Sequence, residues 1–147
     1  MTGSSPVARA VRRIRLLCPL AWAGFVLFAS VVEPSGGPPA PSVLGLPGDK
    51  VLHGLTYAAL AAAVAVGLAT PRIRDAAAAP LGRRPVRRVA AVAVLVATAY
   101  GLAIEGVQYP IPYRTFDLLD AAANAVGAVV GAACWVAGVL VRRRVGR

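Results

Sequence analysis

The chain has 147 residues, of which 58% are apolar and only 15% are charged. A soluble domain of this length has about a quarter of its residues charged, so the composition excludes an ordinary soluble fold and favours a small integral membrane domain. The net charge of +10 raises the question of nucleic-acid binding. However, nearly all the basic residues flank the ends of apolar runs, which is typical of a membrane protein and argues against a nucleic-acid partner.

Residues 1–15 are basic, and we predict that they form a cytoplasmic tail. The run 16–32 is apolar over 17 residues, which is the lower limit for a membrane span. We expect it to remain as the first helix rather than to be cleaved as a signal peptide. Proline and glycine interrupt residues 33–48 too often for a helix or a central strand, and this predicts an extracytoplasmic loop.

Three further apolar runs have the length of membrane spans. A basic cytoplasmic loop at 71–88 and a basic cytoplasmic tail at 142–147 are predicted around them. The pattern predicts an all-α fold, a four-helix transmembrane bundle that forms a single domain over residues 16–141. Since the three basic clusters fall on one side of four crossings, the positive-inside rule predicts that both termini are cytoplasmic. The three runs are 51–70, 89–108 and 116–141.

Polar and ionisable residues interrupt the apolar pattern at one end of three predicted spans. Such residues are costly in a membrane, need partners within the protein and are functional candidates. Most of them recur every three or four residues and so follow one face of a helix. We therefore expect three helices to share one polar cavity on the extracytoplasmic side. The residues are Asp49, Lys50, His53 and Tyr57, then Glu105 and Gln108, then Arg114, Asp117, Asp120 and Asn124.

The residue types in this set indicate two kinds of chemistry. A histidine beside carboxylates is a candidate general acid or base, so His53, Glu105 and Asp120 are hypothetical catalytic residues. Lysine and arginine hold phosphates or carboxylates, and we expect Arg114 and Asp120 to pair at the core of the site. The ligand-binding candidates are Asp49, Lys50, Tyr57, Gln108, Arg114, Asp117 and Asn124. A structural ion-pair network that only caps the bundle is the alternative explanation.

One histidine with several acids also suits a divalent ion, but no HExxH-like spacing is present. We therefore assign neither a metal nor a cofactor. Cys18 and Cys134 both fall in predicted spans. We interpret them as small apolar residues, because neither a disulfide framework nor a zinc spacing is present.

The polar pattern as a whole resembles the VanZ-like membrane protein family. The resemblance is carried by Asp49-Lys50-x-x-His53-x-x-x-Tyr57, Glu105-x-x-Gln108, Arg114, Asp120, Asn124 and Gly127-x-x-x-Gly131. It covers more than half of the chain. Two features deviate from the family: the first loop is unusually rich in proline, and Asp117 adds a second acid where a small polar residue is expected.

The resemblance implies a multi-pass protein of the bacterial inner (plasma) membrane, whose polar site faces the extracytoplasmic side. The founding member of the family is associated with resistance to the glycopeptide teicoplanin, which implies a possible part in antibiotic resistance. Two functions remain open. One is a non-catalytic envelope protein that binds an anionic ligand. The other is an intramembrane enzyme acting on an anionic lipid-linked substrate, although the polar set contains neither serine nor cysteine as a nucleophile. The expected partners are membrane lipid and an anionic lipid-linked cell-wall precursor.

Overall fold

The computed structural model describes residues 6–33, 41–69, 83–114 and 116–145. These residues form four α-helices, each with a segment long and apolar enough to cross a membrane. The predicted all-α, four-helix fold is therefore confirmed. The helices are α1 (Pro6–Val31), α2 (Gly48–Leu68), α3 (Arg83–Gln108) and α4 (Leu118–Val145).

Three helices extend into the basic segments that flank the apolar runs. α1 begins at Pro6, so most of the segment predicted to be a tail is helical. α3 begins at Arg83 and α4 continues through the arginines to Val145. Hydropathy ends a predicted span where charged residues begin. Arginine is a good helix former, however, so the helix itself continues into the basic segment. Pro6 and Pro85 lie in the first turns of α1 and α3, where a missing N–H costs nothing.

Pro19 lies inside α1 and shapes its contact with α2. Proline has no N–H, so the carbonyl of Arg15, four residues earlier, loses its helical hydrogen bond. Gly67 of α2 packs at this carbonyl, and a Cβ on Gly67 would lie 2.9 Å from the Arg15 oxygen. A glycine at this position thus lets the two helices approach closely.

α2 and α4 run parallel and make the closest helix contact in the bundle. Gly127 of α4 packs on the backbone of Gly54, and Gly131 packs on Ala58 one turn further along both helices. A Cβ on either α4 glycine would collide with the carbonyl of its partner. The Gly127-x-x-x-Gly131 motif therefore sets the distance between these helices, as small residues do in membrane bundles.

The interior between the helices is built from small side chains, whereas large apolar side chains cover the outside. Ala61, Ala65, Ala93, Ala97 and Ala128 are fully buried. The exposed apolar residues of the described helices include Leu20, Leu52, Leu95 and Leu119. An apolar outer surface of this extent is stable where it contacts lipid.

Residues 43–46 form a tight turn before α2. The backbone N–H groups of Val43 and Leu46 each donate to the carbonyl of the other residue, at 2.9 and 3.0 Å. Both central residues, Leu44 and Gly45, have positive φ angles of 52° and 78°. This part of the predicted loop is therefore ordered by its own hydrogen bonds immediately before the polar end of α2.

Candidate functional site

Lys50, in the first turn of α2, joins three carboxylates. Its Nζ lies 2.5 Å from Asp117 Oδ2, 2.7 Å from Asp120 Oδ1 and 3.0 Å from Asp49 Oδ2. Asp117 and Asp120 belong to the start of α4, so the ammonium group ties the N-terminal ends of two parallel helices together. The side chains of Lys50 and Asp120 are largely buried, at 18% and 17% exposure, which limits screening of this pair by water.

Asp117 has a second role as the cap of α4. Its Oδ1 accepts a hydrogen bond from the backbone N–H of Leu119 at 2.8 Å, which satisfies one of the free N–H groups at the helix start. The hydrogen bond from Lys50, followed by that from Leu119, lowers the pKa of the Asp117 carboxyl below its usual value. Asp117 is therefore ionised at neutral pH.

His53, one turn beyond Lys50, lies between two residues of α4. Its Nδ1 is 3.1 Å from Asn124 Oδ1, and its Nε2 is 3.7 Å from Asp120 Oδ1. A carbonyl oxygen only accepts hydrogen bonds, so Nδ1 carries the proton that it donates to Asn124. In the neutral ring, Nε2 then keeps its lone pair on the side that faces Asp120.

Glu105 of α3 completes this side of the site from the third helix. The residue is buried, with 1% of its surface exposed, and its Oε1 has no hydrogen-bond partner among the described residues. His53, Glu105 and Asp120 each offer an atom within 4.8 Å of the other two. Side chains from α2, α3 and α4 thus converge at one point, as the shared polar face predicted.

Gly101 of α3 makes room for the deepest polar side chains. A Cβ at this position would lie 3.0 Å from the Tyr57 ring and 3.1 Å from Asn124 Nδ2. Tyr57 and Asn124 are both buried, and neither the Tyr57 hydroxyl nor Asn124 Nδ2 has a partner among the described residues. Two unsatisfied polar groups thus lie beside this glycine, within the apolar interior.

Gln108 and Arg114 point away from this centre, towards the C-terminal end of α1. Gln108 Nε2 donates to the Ser30 carbonyl at 3.1 Å, and Arg114 Nη2 donates to the carbonyls of Ala29 and Val32 at 3.2 and 2.7 Å. The predicted pairing of Arg114 with Asp120 is wrong, because Lys50 takes that place. The turn after α3 carries Arg114 towards α1, where the last carbonyls of the helix need donors.

Two tyrosines and one tryptophan outside the predicted polar set help to position the site. Tyr113 donates to the Val31 carbonyl at 2.6 Å, Tyr100 donates to the Ala23 carbonyl at 2.5 Å, and Trp22 donates to the Thr56 carbonyl at 3.1 Å. They hold α1 against the other helices. Their acceptors are backbone carbonyls, which leave no signal in a sequence.

A family model described as VanZ/LLP1 matches residues 5–141. The chain belongs to the VanZ/LLP1 family. This confirms the resemblance that the polar pattern indicated, and with four membrane-length helices the chain is a multi-pass membrane protein of that family. Neither the comparison with curated proteins nor that with solved structures found a match.

In this VanZ/LLP1 chain, the polar residues divide into two neighbouring groups. One group, which we call the acidic centre, contains His53, Glu105 and Asp120, with Lys50, Asp117 and Asn124 around them. The other, which we call the α1 clasp, contains Gln108, Tyr113 and Arg114 on the last carbonyls of α1. The acidic centre has the donors and acceptors needed to bind a polar or charged group.

Proposed function

We propose that this protein binds the anionic headgroup of a lipid-linked envelope molecule at the polar end of its helix bundle. One observation carries the proposal: Tyr57, Glu105 and Asn124, on three different helices, each have a buried polar atom without a partner among the described residues. An unsatisfied buried polar group costs about 1 to 3 kcal/mol, so a ligand oxygen that accepts from the Tyr57 hydroxyl and from Asn124 Nδ2 is favoured here. Glu105 Oε1 is an acceptor and needs a donor or a cation instead.

Arg114 supplies the contact for a negative charge. Only its Nη2 donates to the α1 carbonyls, and its Nε–H has no partner among the described residues. Guanidinium has five donors in a planar fork, and that fork suits phosphate or carboxylate oxygens. Lys50 contributes less to anion binding, because three carboxylates already surround its ammonium group.

The charge pattern of the chain supports an extracytoplasmic position for this site. The basic residues of α1, α3 and α4 lie at the ends of these helices opposite the acidic centre. Positive charge near membrane spans is enriched on the cytoplasmic side. With this orientation in the plasma membrane, the site faces the side on which lipid-linked cell-wall precursors are consumed.

A binding measurement with a polyprenyl phosphate tests the proposal. The protein, purified in a neutral detergent, is titrated with polyprenyl phosphate and with the uncharged polyprenol, and bound lipid is detected by native mass spectrometry. We expect saturable binding of the phosphate only. Arg114→Gln should weaken it by roughly 10-fold or more, since a hydrogen bond to a charged group contributes about 1.5 to 3 kcal/mol.

The matched control is Arg142→Gln, which changes the net charge equally at the opposite end of α4. Because Arg114 also holds α1, melting temperatures are measured alongside, and Arg114→Lys keeps the charge if the glutamine variant is unstable. Equal binding of polyprenol, or equal weakening by Arg142→Gln, would show that the lipid binds through its tail or through general charge and would overturn the proposal.

The geometry of His53 favours a second candidate, an intramembrane enzyme for the same class of lipid. Asn124 fixes the ring so that Nε2 can accept a proton from water. The water oxygen then attacks the terminal phosphorus of a polyprenyl diphosphate, the bond to the bridging oxygen breaks, and polyprenyl phosphate leaves. Incubation with polyprenyl diphosphate should then release inorganic phosphate, and His53→Gln should abolish the release in a folded protein. Lipid binding without any phosphate release would contradict the enzymatic function and be consistent with the binding function alone.

We further propose a link to teicoplanin resistance, in line with the association of the founding VanZ protein with that drug. A protein that binds a lipid-linked precursor would change how much of it the glycopeptide reaches. Expression in a teicoplanin-sensitive bacterium should raise the minimum inhibitory concentration, and Arg114→Gln should remove the increase. An unchanged inhibitory concentration with a well-expressed protein would exclude this phenotype without affecting lipid binding in detergent.

A further inference from the structure

We propose that His53, Glu105 and Asp120 bind a divalent transition-metal ion, of the class of Mn²⁺ or Zn²⁺. The three residues come from α2, α3 and α4, and their ligand atoms lie within 4.8 Å of one another. Bonds of about 2.0 to 2.2 Å place tetrahedral ligands about 3.4 Å apart, so binding would draw the side chains together by about 1 Å. The inference rests on the proposed function only in that the ion occupies the same acidic centre. It excludes the candidate in which His53 is the base, because Nε2 cannot bind the ion and accept a proton at once.

The burial of Glu105 is the first observation that points to a cation. The residue is 1% exposed, it makes no ion pair with any described Lys, Arg or His, and its Oε1 has no hydrogen-bond partner there. Burying an isolated carboxylate is very unfavourable, and buried charges are normally paired or coordinate metals. A metal ion at this point would supply both the missing charge and the missing partner of Oε1.

The orientation of His53 is the second observation. Nδ1 donates to Asn124 Oδ1, which directs the lone pair of Nε2 towards Asp120. Histidines that bind metals almost always donate their other ring N–H to a carbonyl or carboxylate, which fixes the tautomer. Asn124, itself buried, is therefore in the place of an outer-shell residue for a metal ligand.

Asp120 has a comparable outer partner in Lys50. The ammonium group donates to Asp120 Oδ1, and carboxylates that bind metals are in turn hydrogen-bonded. The positive charge of Lys50 does not oppose the ion strongly, because Asp49 and Asp117 lie at 3.0 and 2.5 Å from it. Asp117 thus helps to neutralise Lys50 beside the proposed ion.

The charge balance connects the ion to the proposed ligand. Together with Asp49 and the α1 clasp, the acidic centre holds four carboxylates, those of Asp49, Glu105, Asp117 and Asp120. Its cations among the described residues are Lys50 and, directed towards α1, Arg114, which leaves two negative charges in excess while His53 is neutral. Such a site repels an anionic headgroup. A divalent ion removes the excess and provides a direct contact for a phosphate oxygen, so the ion accounts for anion binding at an acidic site.

The donor set selects the class of ion. Carboxylates suit Mg²⁺, Ca²⁺ and Mn²⁺, whereas imidazole favours first-row transition ions. One imidazole with two carboxylates therefore suits Mn²⁺ or Zn²⁺. Three protein ligands also leave coordination positions open for a ligand oxygen.

Mn²⁺ binding, measured without any polyprenyl lipid, tests this inference. The protein is treated with EDTA, transferred to a neutral detergent and titrated with MnCl₂, and free Mn²⁺ is quantified by electron paramagnetic resonance. We expect one saturable site per chain that Zn²⁺ displaces and equimolar Mg²⁺ does not. His53→Asn, Glu105→Gln and Asp120→Asn should each weaken binding by more than about 10-fold, since even outer-shell changes cost 10- to 100-fold.

Glu33→Gln is the matched control, because Glu33 is an exposed carboxylate after α1 that is not part of the acidic centre, and the change removes one negative charge as Glu105→Gln does. Its Mn²⁺ affinity should stay within about 3-fold of the wild type, since water and salt screen an exposed charge. Glu105→Gln keeps the shape of the side chain and removes a buried charge, so it should fold and lose only the increase in melting temperature produced by Mn²⁺.

No saturable Mn²⁺ binding, unchanged affinity in the Glu105→Gln variant, or an equal loss in the Glu33→Gln variant would overturn the metal site. Displacement by equimolar Mg²⁺ would overturn the proposed class of ion. Polyprenyl phosphate binding measured in EDTA separates the two proposals. If the protein has no Mn²⁺ site and still binds the lipid in EDTA, the metal proposal is wrong and the proposed function stands.

Discussion

Lys50 determines how the polar ends of α2 and α4 meet. Its ammonium group contacts Asp49 on its own helix and two acids at the start of α4. Ion pairs that are shielded from water are costly to break on one side, because the remaining charge stays buried. Lys50 is thus a structural residue of the acidic centre, while Arg114 has a buried Nε–H without a partner among the described residues.

A double-mutant cycle tests this division. Lys50→Gln and Asp120→Asn should each lower the free energy of unfolding in a detergent-to-SDS titration. The double variant should lose less than the sum by about 0.5 to 3 kcal/mol, which is typical of residues in contact. Arg114→Gln combined with Asp120→Asn should be additive within about 0.5 kcal/mol, as for independent sites. Strong coupling of Arg114 with Asp120 would contradict the structure and restore the pairing expected from the sequence.

The helical spacing of the polar residues is enough to predict which of them share a helix face, because polar groups at membrane depth are few. The choice of partner was not predictable. Arg114 and Lys50 are equally plausible partners of Asp120 in a sequence, and the path of residues 109–114 decides between them. The donors to α1 escape prediction for a related reason, since they bind backbone carbonyls of Ala29, Ser30 and Val32.

At the scale of the elements, the contact between α2 and α4 positions the acidic centre. Gly127 and Gly131 lie directly below Asn124 on α4 and pack on Gly54 and Ala58. Close approach of these backbones brings Asp120 and Asn124 within reach of Lys50 and His53 on the facing helix. Hydropathy predicts that both helices exist, and the Gly-x-x-x-Gly motif indicates close packing, but neither specifies which helix is the partner.

Gly131→Ala should disturb this contact, because the added methyl group collides with the backbone of Ala58, which cannot move aside like a side chain. We expect a loss of about 1 to 3 kcal/mol in the free energy of unfolding, the usual range for overpacking. Gly138→Ala is the control in the same helix, since nothing lies within 4 Å of its added methyl group. It should leave stability unchanged or raise it, as alanine favours helix. Equal effects of the two changes would contradict the parallel α2–α4 packing.

At the scale of the whole molecule, charge and polarity lie at opposite ends of the bundle. The acidic centre and the α1 clasp occupy one end, while arginines such as Arg15, Arg88 and Arg142 lie towards the other. Composition, four apolar runs and this asymmetry were enough to predict the four-helix fold. The orientation in the membrane rests on the positive-inside rule and remains a prediction.

Cysteine labelling in intact cells tests the orientation. The native Cys18 and Cys134 are exposed on the helices, so both are first replaced by alanine. A membrane-impermeant maleimide should label Ser42→Cys, which precedes the polar end of α2, but should label Ala78→Cys, in the basic loop, only after lysis. Labelling at position 78 in intact cells would place the acidic centre on the cytoplasmic side and exclude a ligand outside it.

The claim that the acidic end of the bundle binds the headgroup is tested most directly by photocrosslinking. A polyprenyl phosphate with a photoreactive group next to the phosphate is incubated with the purified protein, irradiated, and the modified peptides are identified by mass spectrometry. We expect crosslinks confined to residues 49–57 and 105–124, and we expect excess unmodified polyprenyl phosphate to reduce them. Crosslinks at the arginine-rich end around 142–144, or crosslinks that excess lipid does not reduce, would contradict it.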